Sequence, residues 1–286
     1  MINFATLQGL TIPEGVVAKI MDASGRVLWK KGGVEENVEP AVLEVEKITA
    51  DTYAGETTYT GEEFILLDIY PQAGATVSVT YGGLTKTITD TSGAESPNAQ
   101  QVFFGTFNGV TDDVATPASG TLVIKGKIQA FGCGVYRESK TAGEVCSCIT
   151  SIAEWGIVTV IPNMAFKRCA KLSIGAVPEG VTKIEHEAFF SDGGDGMYES
   201  NIILPSSLKE MYLSAFATYP VAADDDYSIT ARNFIMLATT PPMISDSGDT
   251  FDISLDSRII VPKGCGDTYK SAEGWKKFGS RIVEET

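Results

Sequence analysis

Basic residues are scarce in this chain. Its 286 residues include 22 Lys and Arg against 37 Asp and Glu, a formal net charge of -15, and the acidic residues are scattered rather than collected in a tail. Nucleic-acid binding draws its affinity from clustered Lys and Arg, and an anionic membrane surface attracts the same residues. We therefore expect neither nucleic acid nor a membrane surface as a partner.

Long apolar runs are also missing. No stretch approaches the ~20 apolar residues that a membrane span requires. The residues from Met1 to Thr6 have neither the basic start nor the apolar run of a secretory signal peptide. We expect no membrane insertion, and no signal peptide in the chain as given.

Residues with catalytic or metal-binding chemistry are few. His186 is the single histidine, and Cys146 and Cys148, two of the five cysteines, are separated by one residue. Nucleophilic hydrolysis needs a base held beside an exposed Ser or Cys, and zinc or redox motifs separate their cysteines by two residues. We expect no catalytic residue, no metal site and no cofactor. The alternative left open is a glycosidase with paired carboxylates.

An internal repeat is the strongest pattern in the chain. In the second half of the chain an Ala-Phe pair occurs three times within the same framework, and aligning these pairs brings apolar residues into two further columns. Units too small to bury their own apolar face stack on their neighbours, so the pattern predicts a solenoid. Cys169, after the first pair, is expected to be a small buried residue in the stack. The pairs are Ala165-Phe166, Ala188-Phe189 and Ala215-Phe216, and the columns are Ile161, Ile184, Met211 and Val158, Val181, Leu208.

Two other regions precede the repeats. Residues 1–40 contain the apolar runs Val16–Ile20 and Arg26–Trp29 around a turn, which is typical of a β-hairpin. Residues 41–128 carry short β-rich segments between Gly, Ser and Pro turns, which predicts an immunoglobulin-like β-sandwich. The expected strands are Val42–Ile48, Phe64–Tyr70, Thr76–Tyr81, Lys86–Thr89, Val102–Phe107 and Thr121–Ile128.

Residues 129–286 complete the predicted architecture. Pro178, Pro205 and Pro262 each follow apolar residues and are expected to end short strands. The segment Asp267–Phe278 predicts a short capping helix with Asp267 as N-cap. The predicted fold is mainly β: an N-terminal β-hairpin unit, an immunoglobulin-like β-sandwich, and a short solenoid with a C-terminal capping helix.

Several further motifs follow one another in the second half of the chain: Ile161–Leu172, Val177–Ile184, Leu204–Leu208, Leu237–Pro242, Ile259–Pro262, Tyr269-Lys270 and Trp275. With these motifs, residues 150–286 resemble the BspA-type leucine-rich repeats of bacterial surface proteins. The start of the chain, Leu10–Val16 and Asp22–Trp29, is similar to small tail-associated proteins of phages and prophages. These resemblances imply adhesion or receptor binding, on a virion or at a bacterial cell surface.

The expected function is recognition without catalysis, by a protein that binds a cell-surface protein or glycan as part of a phage-like tail or bacterial surface assembly. Exposed tyrosines supply a large amphipathic contact surface, although they could instead pack on a neighbouring coil. The acidic run could bind calcium, although a solvated loop is favoured. The candidate binding residues are Tyr198, Tyr212, Tyr219, Asp224, Asp225, Asp226 and Tyr227.

A purely structural role in a tail-like particle is the alternative function. In that case the repeats only extend or decorate the particle, and residues 1–40 mediate self-association. Both hypotheses use the same scaffold, because a fold does not by itself determine a function.

Overall fold

The computed structural model describes residues 19–21, 27–30, 39–49, 61–90, 99–136, 144–145, 148–167, 169, 172, 174–190, 198–212, 214–216, 233–244 and 258–286. They form two compact units, Met1–Asn37 and Val38–Thr286. The fold is mainly β, as predicted. In the described residues, no helix is long and apolar enough to cross a bilayer.

The strands are short and numerous, and two brief helices lie near the C-terminus. The helices are α1, Gly266–Ser271, and a 3-10 helix, Lys276–Arg281. The strands are β1 Lys19–Met21, β2 Val27–Lys30, β3 Ala41–Glu46, β4 Ile48–Thr49, β5 Glu63–Pro71, β6 Thr76–Tyr81, β7 Leu84–Thr89, β8 Gln100–Phe107, β9 Val110–Thr111, β10 Ser119–Lys125, β11 Ile128–Cys133, β12 Val135–Tyr136, β13 Glu144–Val145, β14 Ile149–Trp155, β15 Val160–Ile161, β16 Ile174–Ala176, β17 Lys183–Ile184, β18 Tyr198–Leu204, β19 Glu210–Met211, β20 Asn233–Met236, β21 Met243–Ile244, β22 Arg258–Val261 and β23 Ile282–Glu284.

In the first unit, β1 and β2 pair antiparallel, with Ile20 opposite Trp29. This pairing confirms the hairpin that the two apolar runs predict. The hairpin strands are shifted toward the C-terminus by up to three residues from the predicted runs, a difference typical of element boundaries.

The second unit begins with two antiparallel sheets. One has the strand order β14-β3-β10-β6-β7, and the other has β11-β5-β8-β9 with β4 beside β5. Buried and half-buried residues alternate along β3, as expected where one face of a strand meets the core. The Tyr81 ring of the first sheet contacts the Phe104 ring of the second, with their centroids 5.6 Å apart. The two sheets therefore share a core.

The prediction of one strand over Thr121–Ile128 is wrong. The chain turns at Gly126, and β10 and β11 join different sheets. Gly126 has a φ of 134°, and a Cβ at this position would lie 2.7 Å from the carbonyl oxygen of Thr76. Only glycine fits this turn without a shift of the backbone.

Strands beyond residue 128 contribute to both antiparallel sheets. β11 pairs with β5, and β14 pairs with β3, so that Ile152 lies opposite Leu43. The boundary between residues 128 and 129 stays a prediction. The pairing means that sequence segments 41–128 and 129–286 share hydrogen-bonded sheets.

Two parallel sheets follow, in the orders β15-β17-β19-β21 and β16-β18-β20-β22-β23. The prolines Pro205 and Pro262 directly follow the ends of β18 and β22, as predicted. Both predicted apolar columns are buried. In the first, Ile161, Ile184 and Met211 lie side by side in the register of the strands, and Ile244 of β21 extends this row.

The three repeated phenylalanines form an aromatic stack through this core. Phe189 lies between Phe166 and Phe216, with ring centroids 5.3 and 5.1 Å apart and rings tilted by 13° and 16°. Phe131 of β11 meets the first ring edge-on, and Phe234 of β20 meets the last. The repeat therefore encodes an uninterrupted series of ring contacts.

A line of backbone hydrogen bonds runs beside the aromatic stack and begins on β11. Each Ala-Phe pair accepts a hydrogen bond at the alanine carbonyl, and the first two also donate one from the phenylalanine amide. The donors and acceptors are Cys133 N to Ala165 O at 2.7 Å, Phe166 N to Ala188 O at 2.8 Å, and Phe189 N to Ala215 O at 2.8 Å. The first Ala-Phe pair is thus hydrogen-bonded directly to β11, a strand of an antiparallel sheet.

A left-handed residue precedes each Ala-Phe pair. Met164, Glu187 and Ser214 have φ values of 57°, 53° and 57°. This conformation costs an L-residue roughly 1–2 kcal/mol. The same local backbone strain therefore precedes each of the three pairs.

We expect Ser214→Gly to raise the free energy of unfolding by about 0.5–1 kcal/mol, because the relief at positive φ exceeds the added chain entropy of glycine. Ser214→Thr keeps the hydroxyl but adds β-branching, and it is expected to lower that free energy. Urea denaturation of both variants measures the difference. A glycine variant less stable than the threonine variant would contradict this explanation.

The C-terminal segment packs on the end of the parallel sheets. The Tyr269 hydroxyl donates to the Ala238 carbonyl at 2.7 Å, and Trp275 Nε1 donates to the Pro242 carbonyl at 2.7 Å. The predicted N-cap is wrong: Cys265 occupies that position, and Asp267 lies in the first turn of α1. A carboxylate there still interacts favourably with the positive end of the helix dipole.

Candidate functional site

An aliphatic row crosses the outer face of the five-stranded parallel sheet. Successive side chains of a strand point to opposite faces, and the residues on either side of Ile203, Ile235 and Ile260 within their strands are buried. Ile203 is 37% exposed, whereas Ile202 and Leu204 beside it are fully buried. The row consists of Ala176, Ile203, Ile235, Ile260 and Val283, paired in that order across β16, β18, β20, β22 and β23.

A polar row lies parallel to the aliphatic row, two residues earlier in its strands. Asn201, Asn233 and Arg258 are adjacent in register. Asn233 Nδ2 donates to Asn201 Oδ1 at 3.0 Å. The outer face thus presents an apolar strip bordered by amide and guanidinium groups, the arrangement typical of an interface core with a polar rim.

The aliphatic row continues into an open groove of about 610 Å³ at the C-terminal side of the sheet. Ile235, Ile260 and Val283 line its floor together with Leu237, which is 43% exposed. Because Leu237 lies two residues beyond Ile235, it extends the same face of β20. The volume falls within the range of small-molecule sites, roughly 300–1,000 Å³, and an open apolar groove also fits a protruding side chain.

Glu284 is one of the residues that line the groove, and it links β23 to the start of α1. Its carboxylate accepts hydrogen bonds from the backbone N–H groups of Gly264 at 3.0 Å and Gly266 at 2.8 Å. These two hydrogen bonds lower the pKa of Glu284 despite a small opposing effect of desolvation, and Lys270 and Lys263 lower it further. The carboxylate therefore ties β23 to the start of α1 most strongly when it is ionised.

We expect Glu284→Gln to destabilise the protein at neutral pH but not in acid. A carboxyl whose pKa is lowered by folding stabilises the folded state above its unfolded pKa, and this contribution is lost as the pH falls through the folded pKa. Urea denaturation at about pH 7 and about pH 3 measures the change. Glu285→Gln, at the exposed neighbouring residue, is the control. An equal Glu284→Gln effect at both pH values would contradict the assignment.

Tyr212 is the predicted binding residue whose side chain the structure describes. It is 36% exposed, and its hydroxyl donates to Glu210 Oε2 at 3.1 Å. Lys183 Nζ lies 4.9 Å from the centroid of its ring and forms an ion pair with Glu185 at 2.8 Å. The hydrogen bond to Glu185 is the main reason that the pKa of Lys183 is raised. Tyr212 thus belongs to a charged cluster beside the other parallel sheet.

The remaining predicted residues are not brought together by the described structure. Tyr198 begins β18, where its backbone pairs with Ile174 of β16. The others lie outside the described residues, and their role stays a prediction: Tyr219, Asp224, Asp225, Asp226 and Tyr227.

Sequence reasoning missed the aliphatic row, although a signal for it exists. Three apolar residues follow one another at Ile202–Leu204, Phe234–Met236 and Ile259–Val261. In a strand the middle residue of such a triplet must point away from its neighbours. When the outer residues face the core, the middle residue faces outward, and its repetition in three strands indicates an outward-facing apolar strip.

Comparison with known proteins assigns no function to this surface. No family model matches the chain, and no curated protein matches its sequence. The functional inference therefore rests on the aliphatic row, the polar row beside it and the groove.

Proposed function

We propose that this chain is a non-enzymatic recognition protein that binds a cell-surface ligand through the aliphatic row. The single observation that carries the proposal is the alignment of Ile203, Ile235, Ile260 and Val283 on the outer face of one parallel sheet. Ile203 is exposed and the other three are half-buried, and partly exposed aliphatic side chains gain free energy when a partner removes them from water. A continuous strip of them is a common mark of an interaction site.

The ligand class that fits best is a protein rather than a glycan. The row side chains are aliphatic, and the core of a protein–protein interface is apolar with a polar rim. The parallel ladder fixes the backbone of each strand, so the row loses little conformational freedom on binding. A glycan remains the second ligand class.

The fold that accompanies this proposal is a BspA-type leucine-rich-repeat solenoid after an immunoglobulin-like β-sandwich. The stacked Phe166, Phe189 and Phe216 and the in-register parallel strands support the repeat assignment. The two antiparallel sheets that meet at Tyr81 and Phe104 support the sandwich assignment. On this proposal α1 belongs to the cap of the solenoid.

The experiment is a binding screen of the full chain against purified cell-surface protein ectodomains and, in parallel, a glycan array. We expect saturable binding to at least one ectodomain. Binding restricted to glycans would mean that the ligand is a glycan and not a protein. The absence of binding in both panels would contradict a recognition role.

A structural role in a phage-like tail is the second candidate function. The observation that favours it is the separate compact unit Met1–Asn37, which contains the β1–β2 hairpin. Light scattering of the full chain and of a chain without residues 1–40 tests self-association. An oligomer that becomes a monomer on deletion supports an assembly role, whereas a monomer in both cases removes its basis.

A further inference from the structure

We propose that Cys133 and Cys169 are a redox pair, which forms a disulfide that links the antiparallel sheets to the first repeat. Both cysteines are buried thiols that are not in a disulfide, with 1% and 0% of their surface exposed. Their Sγ atoms lie 3.1 Å apart. This inference does not depend on whether the aliphatic row binds a ligand.

The backbone around the pair already holds the two segments close together. Cys133, the last residue of β11, donates its N–H to the Ala165 carbonyl at 2.7 Å, and Cys169 donates its N–H to the Phe166 carbonyl at 3.3 Å. A Cβ at Gly132 would lie 2.8 Å from the backbone of Ala165, so glycine permits this close approach. A disulfide requires the sulfurs to move from 3.1 Å to about 2.05 Å.

A third buried cysteine, Cys148, distinguishes this cluster from an isolated buried thiol. Cys148 Sγ donates to the Leu66 carbonyl at 3.4 Å. Burial raises the pKa of Cys133, but contacts with the Cys148 and Cys169 thiols and hydrogen bonds from nearby backbone N–H groups outweigh burial and lower it. The thiolate is the nucleophilic form of cysteine. We therefore assign Cys133 as the attacking sulfur, and the 3.1 Å distance between its Sγ and that of Cys169 makes Cys169 the resolving one.

A peroxide supplies the oxidising equivalents for this step. The Cys133 thiolate attacks one peroxide oxygen, the O–O bond breaks, and a sulfenic acid forms as hydroxide leaves. Cys169 then attacks the sulfenic sulfur, the S–S bond forms, and the hydroxyl departs as water. Two thiols lose two electrons and two protons in total, and one hydrogen peroxide becomes two waters.

The bridge is expected to stabilise the junction where the repeat stack begins. It would close the loop between Cys133 and Cys169, positions separated by 36 in sequence. Disulfides across loops of this length raise the melting temperature of a domain this size by about 5–10 °C. Oxidation would then fix the first repeat on β11 without changing the exposed face of the parallel sheet.

The test treats the full chain with hydrogen peroxide, and in a second arm refolds it in a glutathione redox buffer. We expect a mass loss of about 2 Da, a non-reduced peptide that joins Cys133 to Cys169, and the rise in melting temperature, all reversed by a reductant. Cys169→Ser and Cys169→Ala should abolish the change. Cys265→Ser, at a half-exposed cysteine, should retain it.

Two results would overturn the proposal. One is a bridge that joins Cys133 to Cys148, or any other cysteine pair, in place of Cys133 to Cys169. The other is that the disulfide-linked Cys133–Cys169 peptide is found in neither arm for the wild-type chain. The peptide map of the wild type decides both outcomes, so the test does not rely on variants that fail to fold.

Discussion

Replacing Phe189 with alanine is expected to lower the free energy of unfolding by about 3–5 kcal/mol. Phe189 is fully buried and is the middle ring of the aromatic stack, with contacts to Phe166 and Phe216 at 5.3 and 5.1 Å. Truncation removes the transfer free energy of the ring and leaves a cavity between two turns. Because Phe166 and Phe216 both lose a ring contact, we expect the destabilisation to extend along the aromatic stack.

Phe107→Ala is the matched control for this prediction. Phe107 is half-buried and contacts Phe64 at 4.8 Å in an antiparallel sheet, so its truncation is expected to cost less, about 1–2 kcal/mol. Urea denaturation measures both losses, and amide hydrogen exchange locates them. Equal losses for the two variants, or faster exchange confined to residue 189, would contradict a continuous stack.

Trp275→Ala is expected to have an effect of similar size, about 3–5 kcal/mol. The indole is fully buried, meets the Tyr269 ring at 5.0 Å, and donates to the Pro242 carbonyl at 2.7 Å. Its removal leaves both a cavity and a carbonyl without its donor. The C-terminal segment would then lose its main anchor on the parallel sheets.

Tyr269→Phe separates packing from hydrogen bonding at the same place. It keeps the ring and removes only the hydroxyl that donates to Ala238, so a loss of about 1–2 kcal/mol is expected. Burial raises the pKa of Tyr269, so the hydroxyl remains a donor at neutral pH. Thermal and urea denaturation compare the two variants, and a Trp275→Ala loss no greater than that of Tyr269→Phe would contradict the anchoring role.

The sequence was most informative where the fold repeats itself. Equivalent positions of stacked units contact each other. The repeated pairs therefore predict that the phenylalanines of neighbouring units are in contact: Ala165-Phe166, Ala188-Phe189 and Ala215-Phe216. A single alignment of the chain with itself therefore predicted the buried columns and the prolines that follow strands.

Contacts between distant, non-repeating segments could not be predicted in this way. The turn at Gly126 depends on a close approach to Thr76, and β14 pairs with β3 across more than a hundred residues. Nothing in the local pattern of either segment specifies its partner. The proximity of Cys133 to Cys169 has the same origin, because it follows from where β11 meets the first repeat.

The candidate site was missed for a different reason. Tyrosines and acidic residues are the candidates in the sequence because polar and aromatic groups commonly recognise ligands, whereas Ile203 and Ile260 lie within fully apolar triplets. The apolar triplets indicate that a middle side chain faces away from its neighbours, but only the strand register shows that Ile203 and Ile260 share one face of the sheet. The residue type alone does not separate an outward-facing isoleucine from a buried one.

The most direct test of the account is the affinity of the Ile203→Ser/Ile260→Ser double variant for the ectodomain captured in the screen. Met243→Ser is the matched control, since Met243 is 58% exposed but lies on the other parallel sheet. We predict an affinity about 10- to 100-fold lower for the double variant, with unchanged circular dichroism, and near wild-type affinity for the control. A double variant that binds like wild type, or a control that loses as much, would contradict the assignment of the aliphatic row as the binding surface.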